Sequence, residues 1–338
     1  MTSHVSVIVP CYNEERTIES LLEAIYSQTY PHELTEVVIA DGGSTDQTRE
    51  LIANFSKEHP DLILKLVDNP ARIIPAALNT AVDASSYGII LRLDAHSVPE
   101  ANYIEQAVRV LEETGAANVG GLWNIAPGDN TWVAKSIAVA AGHFLGAGDA
   151  RYRIHGEAGP VDTVPFGVFD RDWMERAGAF NTDLLTNEDY EYNVRLQKAG
   201  GTIWFDPEIQ STYLARSTLT ALAKQYARYG FWKAQMLWMY PETIRWRQLL
   251  PPVFVGSLGM WLILAIFWRI AVLFLLFQAG IYSLITVAAG VIEAVRRRKT
   301  FFTAGFPLAV WTMHFCWGGA FLWGLLVRFL RRKGGKQA

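Results

Sequence analysis

The chain has 338 residues, room for about two domains at ~100–200 residues each, and its 51% apolar content excludes a disordered protein. Two cysteines, Cys11 and Cys316, far apart in the chain, exclude a disulfide framework and a cysteine zinc site. The net charge of −3 conceals a split: residues 1–250 hold 20 of the 30 Lys and Arg and 32 of the 33 Asp and Glu, whereas 251–338 hold ten basic residues and one acid, Glu293. The basic charge sits beside apolar runs rather than on a soluble face, which excludes a nucleic-acid binder.

Met1–His4 leads into a short apolar run and then the charges Glu14–Arg16, which is not a secretory signal pattern, so the soluble part is expected in the reducing cytoplasm. VSVIVP (5–10) reads as a strand, and Asn13 is placed to cap a helix with Ile18, Leu21, Leu22 and Ile25 on one face. EVVIA (36–40) is a second strand. Ser44 and Gln47 stand at capping-box spacing for a helix through Phe55. LILKLV (62–67), PAALNTAVDA (75–84) and GIILRLD (88–94) continue as strand, helix and strand. Such alternation over ~100 residues predicts an α/β fold, a mostly parallel sheet with helices on both faces.

From Pro251 the chain is apolar for about 42 residues, interrupted by Arg269, which is length for two membrane spans of ~20 residues each. A second apolar run, 301–327, follows the basic cluster Arg296–Lys299 and precedes another at Arg331–Lys336. Eight of the twelve tryptophans lie after residue 230, as interfacial anchors do. If both basic clusters are cytoplasmic, 301–330 must return within itself, with Gly318-Gly319 as the turn; a single span would put the last cluster outside. The expected organisation is a catalytic domain over 1–217, an interfacial amphipathic segment over 218–250, a transmembrane region over 251–330 and a basic tail over 331–338.

Ligands of open α/β sheets bind beyond the carboxyl ends of the strands, so Tyr12-Asn13-Glu14, Asp41 and Asp94-Ala95-His96 are the residues of interest. Neither GxGxxG nor GxxxxGK[ST] occurs there, which removes the dinucleotide and P-loop readings. What remains is a nucleotide site built from carboxylates, suited to ribose hydroxyls, a uracil N–H and a metal bridging phosphates.

VSVIVPCYNEE, IADGGSTD, LRLDAHS and NEDYEYNVRLQKAGG, in that order and spacing, resemble the family 2 glycosyltransferases with their GT-A fold, most closely the bacterial succinoglycan type that builds exopolysaccharide on a lipid carrier. The resemblance covers about residues 4–235. It implies that Pro10, Tyr12 and Glu14 line the nucleotide base pocket, that Asp41 reads uracil and ribose, and that Arg72 lies near base and phosphate. The bland alternatives are that Asp41 caps its own DGGS turn and that Tyr12 merely packs; position at a strand end favours the nucleotide role for Asp41 and leaves Tyr12 open. Asp94-Ala95-His96 stands where the family has Asp-x-Asp, so Asp94 and His96 are the expected metal ligands, and the imidazole favours manganese over magnesium. Asp189 of the Glu188-Asp189 pair is the implied general base, Glu188 its alternate, and Glu191 a support. The stretch 159–180 is expected to shape the sugar pocket, with Gly167 at a strand-to-helix junction allowing close approach of substrate. Gln225-x-x-Arg228-Tyr229 resembles the QxxRW segment of membrane-bound synthases, in which Arg228 or Lys233 would clamp diphosphate; an interfacial helix with basic and aromatic side chains fits the same residues. Together these imply an inverting, metal-dependent, multi-pass enzyme of the bacterial inner membrane, with its catalytic domain cytoplasmic. It would move one sugar from a UDP-sugar to a lipid-linked glycan. The alternatives are a glycolipid synthase and a non-catalytic nucleotide-sugar sensor.

Overall fold

The computed structural model describes residues 3–334, with side chains to residue 330; the expected basic tail over 331–338 lies outside the described side chains and, from 335, outside the described residues. The first half alternates as expected: β1 (Val5–Cys11), α1 (Ile18–Tyr26), β2 (Thr35–Asp41), α2 (Thr48–Glu58), β3 (Ile63–Asp68), α3 (Ile74–Ala84) and β4 (Ile89–Arg92). Then come β5 (Val98–Pro99), α4 (Tyr103–Thr114), β6 (Asn118–Pro127), the helices α5 (Trp132–Ala141), α6 (Phe144–Ala147) and α7 (Arg151–Ile154), and β7 (Gly159–Pro160). β8 (Val168–Asp170), α8 (Arg171–Ala177), α9 (Glu188–Lys198) and β9 (Ile203–Ala215) follow. Four long helices complete the chain: α10 (Leu219–Met239), α11 (Trp246–Phe267), α12 (Arg269–Arg297) and α13 (Phe302–Gly334).

Among the described residues nine strands form one sheet in the order β3-β2-β1-β4-β8-β6-β9-β5, with β7 on β9. β3, β2, β1 and β4 run parallel, and β8 and β6 extend them antiparallel. β2 is buried along its whole length and β1 almost so, which is why both read as unbroken apolar runs. α1 buries Ile18, Leu21, Leu22 and Ile25 against them, the four residues of its apolar face. Each such side chain contributes about 1.5–3 kcal/mol when fully buried.

Two local expectations fail. Asn13 does not cap α1. It sits at φ 54° in the β1–α1 loop, where its Oδ1 accepts from the Thr45 N–H at 2.9 Å. Ser44 and Gln47 form no capping box, because Gln47 is itself the residue before α2 and the Ser44 hydroxyl is drawn to Asp41. Asp46 accepts from the Thr48 N–H and hydroxyl instead.

The chain divides into two compact units: Met1–Asn124 with His155–Tyr213, and Ile125–Ile154 with Leu214–Ala338. The first contains the parallel strands. In the second, α5, α6, α10, α11 and α12 all pack on α13. Segment 125–154 groups with the apolar helices because α5 is itself apolar; Trp132 and Ser136 meet α13 at Gly305. α11, α12 and residues 302–330 of α13 are each long and apolar enough to cross a membrane, and the stretch after 300 is one continuous helix with no turn at Gly318-Gly319.

Strand β6 carries Gly120-Gly121 where backbones approach closely: a Cβ on Gly121 would run into the Ile209 backbone. Gly121→Ala should therefore destabilise the first unit by about 1–3 kcal/mol through overpacking. A lowered melting temperature of purified protein checks this, and an unchanged one would show that β9 can yield at Ile209.

Candidate active site

The ends of β1 and β2 lie in register, Cys11 opposite Asp41, so the loops that leave them interlock. The Gly42 N–H donates to the Cys11 carbonyl at 2.8 Å, the Asn13 N–H to the Ser44 hydroxyl at 2.8 Å, and the Glu14 N–H to the Thr48 hydroxyl at 2.8 Å. Asp41 is fully buried at the centre of this knot. It accepts from the Gly43 and Ser44 N–H groups, from the Ser44 hydroxyl at 2.5 Å, and from Arg49, whose Nη1 lies 2.9 Å from both Asp41 and Asp68. Of the two roles open to Asp41 in the sequence, the turn cap is the one these contacts display.

Tyr12 is exposed, and its ring lies on Gly42, where a Cβ would come within 3.1 Å of a ring carbon. The Arg72 guanidinium stands 5.9 Å from the ring centroid, carried on a left-handed backbone at φ 56°. Pro10 pairs with Ala40 one residue before the loops part. Tyr12, the bare Gly42-Gly43 backbone and Arg72 thus form one flat patch with an aromatic face and a cation, suited to a planar base carrying anionic phosphates.

The second cluster is organised by a residue the motifs did not single out. Arg92, at the end of β4, is buried, and its guanidinium donates to Asp94 Oδ1 from Nε at 3.3 Å and Nη2 at 3.1 Å. The same Nη2 donates to Glu188 Oε1 at 3.0 Å, across 96 residues of chain. Burial opposes the Arg92 charge, but the carboxylates of Asp94, Glu188 and Asp189 outweigh it and raise the pKa. One guanidinium serves three carboxylates, so burial and the neighbouring Asp189 still leave the Glu188 carboxyl above its usual range. Asp189, by contrast, is half-buried at the start of α9; its Oδ1 accepts from the Tyr190 N–H at 2.7 Å. Glu191 is buried and paired with Arg195 through both oxygens. The sequence signal for Arg92 was available: a lone cation inside the apolar run IILRL.

Asp94 engages Arg92 through Oδ1, and its Oδ2 is given no partner by any hydrogen bond among the described residues. His96 is half exposed, with Nδ1 3.2 Å from Glu14 Oε1. Burial raises the Glu14 pKa and the hydrogen bonds from His96 and Thr17 outweigh that, so its carboxyl lies below the usual range; the charge of Asp94 works against them. Glu14, Asp94 and His96 therefore share one neighbourhood. No group of three His, Cys, Asp or Glu with metal-holding geometry occurs among the described residues. A carboxylate oxygen and an imidazole do fit a divalent ion that takes its remaining ligands from diphosphate and water.

Gln225 and Arg228 are on α10 in the second unit: Gln225 is buried and donates to the Tyr229 hydroxyl at 2.9 Å, and Arg228 is exposed. Lys233 is buried with Nζ 3.4 Å from the Thr243 carbonyl, so as placed it is not open to a diphosphate. Gly167 is not at a strand-to-helix junction. It precedes β8 at φ 95°, where a Cβ would crowd Phe169 and Asn118.

The model of the glycosyl transferase family 2 domain matches residues 6–178. The chain belongs to that family. It is 31% identical to the succinoglycan biosynthesis protein ExoA of Rhizobium meliloti (strain 1021) over 96% of each chain. It is 30% identical to the dolichyl N-acetyl-α-D-glucosaminyl phosphate 3-β-D-2,3-diacetamido-2,3-dideoxy-β-D-glucuronosyltransferase of Methanococcus voltae, over 70% of this chain and 77% of that one. A mannosyltransferase from Pyrobaculum calidifontis, solved with GDP-mannose and Mn2+, has the same fold at a TM-score of 0.61 and 21% identity, covering 93% of this chain and 87% of that one.

Removing Arg92 leaves Glu188 buried without a countercharge, which costs about 3–5 kcal/mol. Arg92→Met should therefore lower the melting temperature sharply, and adding Glu188→Leu should recover part of the loss. If the double substitution is as damaging as the sum of two singles, the two side chains do not act as a pair.

Proposed function

We propose that this family 2 enzyme is an inverting, metal-dependent glycosyltransferase that moves one sugar from a UDP-sugar to a lipid-linked glycan at the cytoplasmic face of the bacterial inner membrane. The observation that carries the reading is the meeting at Arg92 of Asp94 and Glu188, which belong to motifs far apart in the chain. It puts the carboxylate expected to face the donor diphosphate beside the pair expected to face the acceptor. The names of the two relatives, one for succinoglycan biosynthesis and one for a transferase acting on a dolichyl-linked sugar, support a lipid-borne acceptor.

In this reading Tyr12 and Arg72 hold the base and its phosphates, while Asp41 keeps the 42–48 loop in shape with its own hydrogen bonds. Asp94 and His96 would hold the divalent ion, which when bound supplies charge to neutralise the leaving diphosphate. Asp189 takes the proton of the acceptor hydroxyl as that oxygen attacks the anomeric carbon. The bond from that carbon to the diphosphate oxygen breaks, and UDP departs with the electron pair. Glu188, for all its raised pKa, is the less accessible of the two because its carboxyl is buried and already bonded to Arg92, whereas Asp189 is open enough to meet an acceptor.

Asp189→Asn should leave UDP-sugar affinity nearly unchanged and lower transfer by about 10²–10⁴, the usual worth of a general base. Equal single-turnover rates for the variant and wild type would remove Asp189 from the mechanism. EDTA should abolish transfer, and manganese should restore it better than magnesium, with His96→Asp moving the preference towards magnesium. Full activity in EDTA would exclude the metal. A donor panel of UDP- and GDP-sugars fixes the nucleotide.

A further inference from the structure

Resting on the metal reading proposed above, the structure assigns Glu14 to His96: Glu14 is a positioning residue that fixes which ring nitrogen of His96 is offered to the ion. The family motif sets Glu14 in the nucleotide base pocket. The contacts of its carboxylate lie instead with the turn of the expected metal ligands and with its own helix.

Glu14 is fastened on every side. Its N–H donates to the hydroxyl of Thr48, the first residue of α2, at 2.8 Å. Its carbonyl accepts from the Thr17 and Ile18 N–H groups at 3.0 and 2.9 Å, where α1 begins. Of the carboxylate, Oε2 accepts from the Thr17 hydroxyl at 2.7 Å, and Oε1 lies 3.2 Å from His96 Nδ1. The backbone is pinned between two helix starts, and Thr17 sets the plane of the carboxylate. Oε1 is therefore an acceptor already aimed, with little ordering left to do.

His96 has a use for such a partner. It stands in a turn after β4 that Ser97 closes on the Asp94 carbonyl, through its N–H at 2.9 Å and its hydroxyl at 2.7 Å. The turn is fixed, but the imidazole is half in water, where an unguided ring samples several rotamers and both tautomers. A carboxylate can only accept, so opposite it Nδ1 carries the hydrogen and the neutral ring has its lone pair on Nε2. That is the form in which a histidine backed by a carboxylate ligates a metal. Asp94 is treated alike, since Arg92 takes its Oδ1 and so sets its plane. Each expected ligand thus has a charged side chain behind it, Arg92 from β4 and Glu14 from the loop after β1, the strand that pairs with β4 in parallel. As a brace the Glu14–His96 contact is weak: the side chains are 26% and 49% exposed, and an ion pair so placed contributes little to stability. Orientation is what it supplies.

Manganese binding to the full-length protein, with UDP present and no acceptor, tests this independently of turnover; electron paramagnetic resonance reads the unbound Mn2+. Glu14→Gln keeps the shape of the side chain and removes the anionic acceptor. It should weaken manganese binding by about 10–100-fold, the usual cost of losing the partner behind a ligand. The melting temperature and the UDP affinity in EDTA should stay close to wild type. In a His96→Ala background the same substitution should cost nothing further, because the ring it orients is gone. Unchanged manganese affinity would overturn the assignment, as would an equal loss with and without His96. Weakened UDP binding in EDTA would also overturn it, by placing Glu14 in the base pocket. A distinct outcome is that His96→Ala alone leaves manganese affinity intact: that removes His96 from the metal, and with it the reading on which this assignment rests.

Discussion

A guanidinium taken out of water is tolerated only where carboxylates replace the lost hydration, and Arg92 meets that condition with Asp94 and Glu188 as direct partners and Asp189 nearby. The demand runs both ways. α9 must begin where Glu188 can reach Arg92, and it does so after Asn187, in the left-handed region at φ 66°. β4 must end in register with β1 so that Arg92 stands opposite Ile8, one residue short of the loop carrying Asp94. The strand ends, the loop and the helix start are thereby held to one another by charge rather than by shape.

The candidate site is built from two kinds of order. In the loops after β1 and β2, backbone N–H groups and small hydroxyls satisfy one another, and Asp41 is consumed in doing so. At the start of α9 there is an unequal pair, one acid buried and bonded, its neighbour half open. The same two letters in a motif therefore carry different chemistry, and burial is what separates them.

Much of the fold was legible because it depends on local pattern: the apolar runs of β1 and β2 and the four-residue face of α1 appear as the sequence writes them. The motifs also located Asp94, Glu188 and Asp189 correctly at element ends. Three things were not legible. Capping by Asn13 and Ser44 failed because both side chains found tertiary partners in the facing loop, and no local rule weighs such competition. Arg92 was passed over because a single cation in a strand gives no hint of which carboxylates will meet it. The attachment of residues 125–154 to the C-terminal helices was hidden because α5 is apolar without being long, and periodicity cannot say whether such a helix covers a sheet or another helix.

That attachment bears on how the molecule is made. The surface on which 125–154 settles is supplied by residues 305–314, which leave the ribosome long afterwards; at ~5–20 residues per second the delay is on the order of 10–40 s. Throughout that interval the strands of the first unit are available to fold, while an apolar helix inserted between β6 and β7 has no partner of its own. The nascent chain thus carries a sticky segment exposed for far longer than collapse takes, and early delivery to a lipid surface or a holding chaperone is the means by which such a chain avoids aggregation.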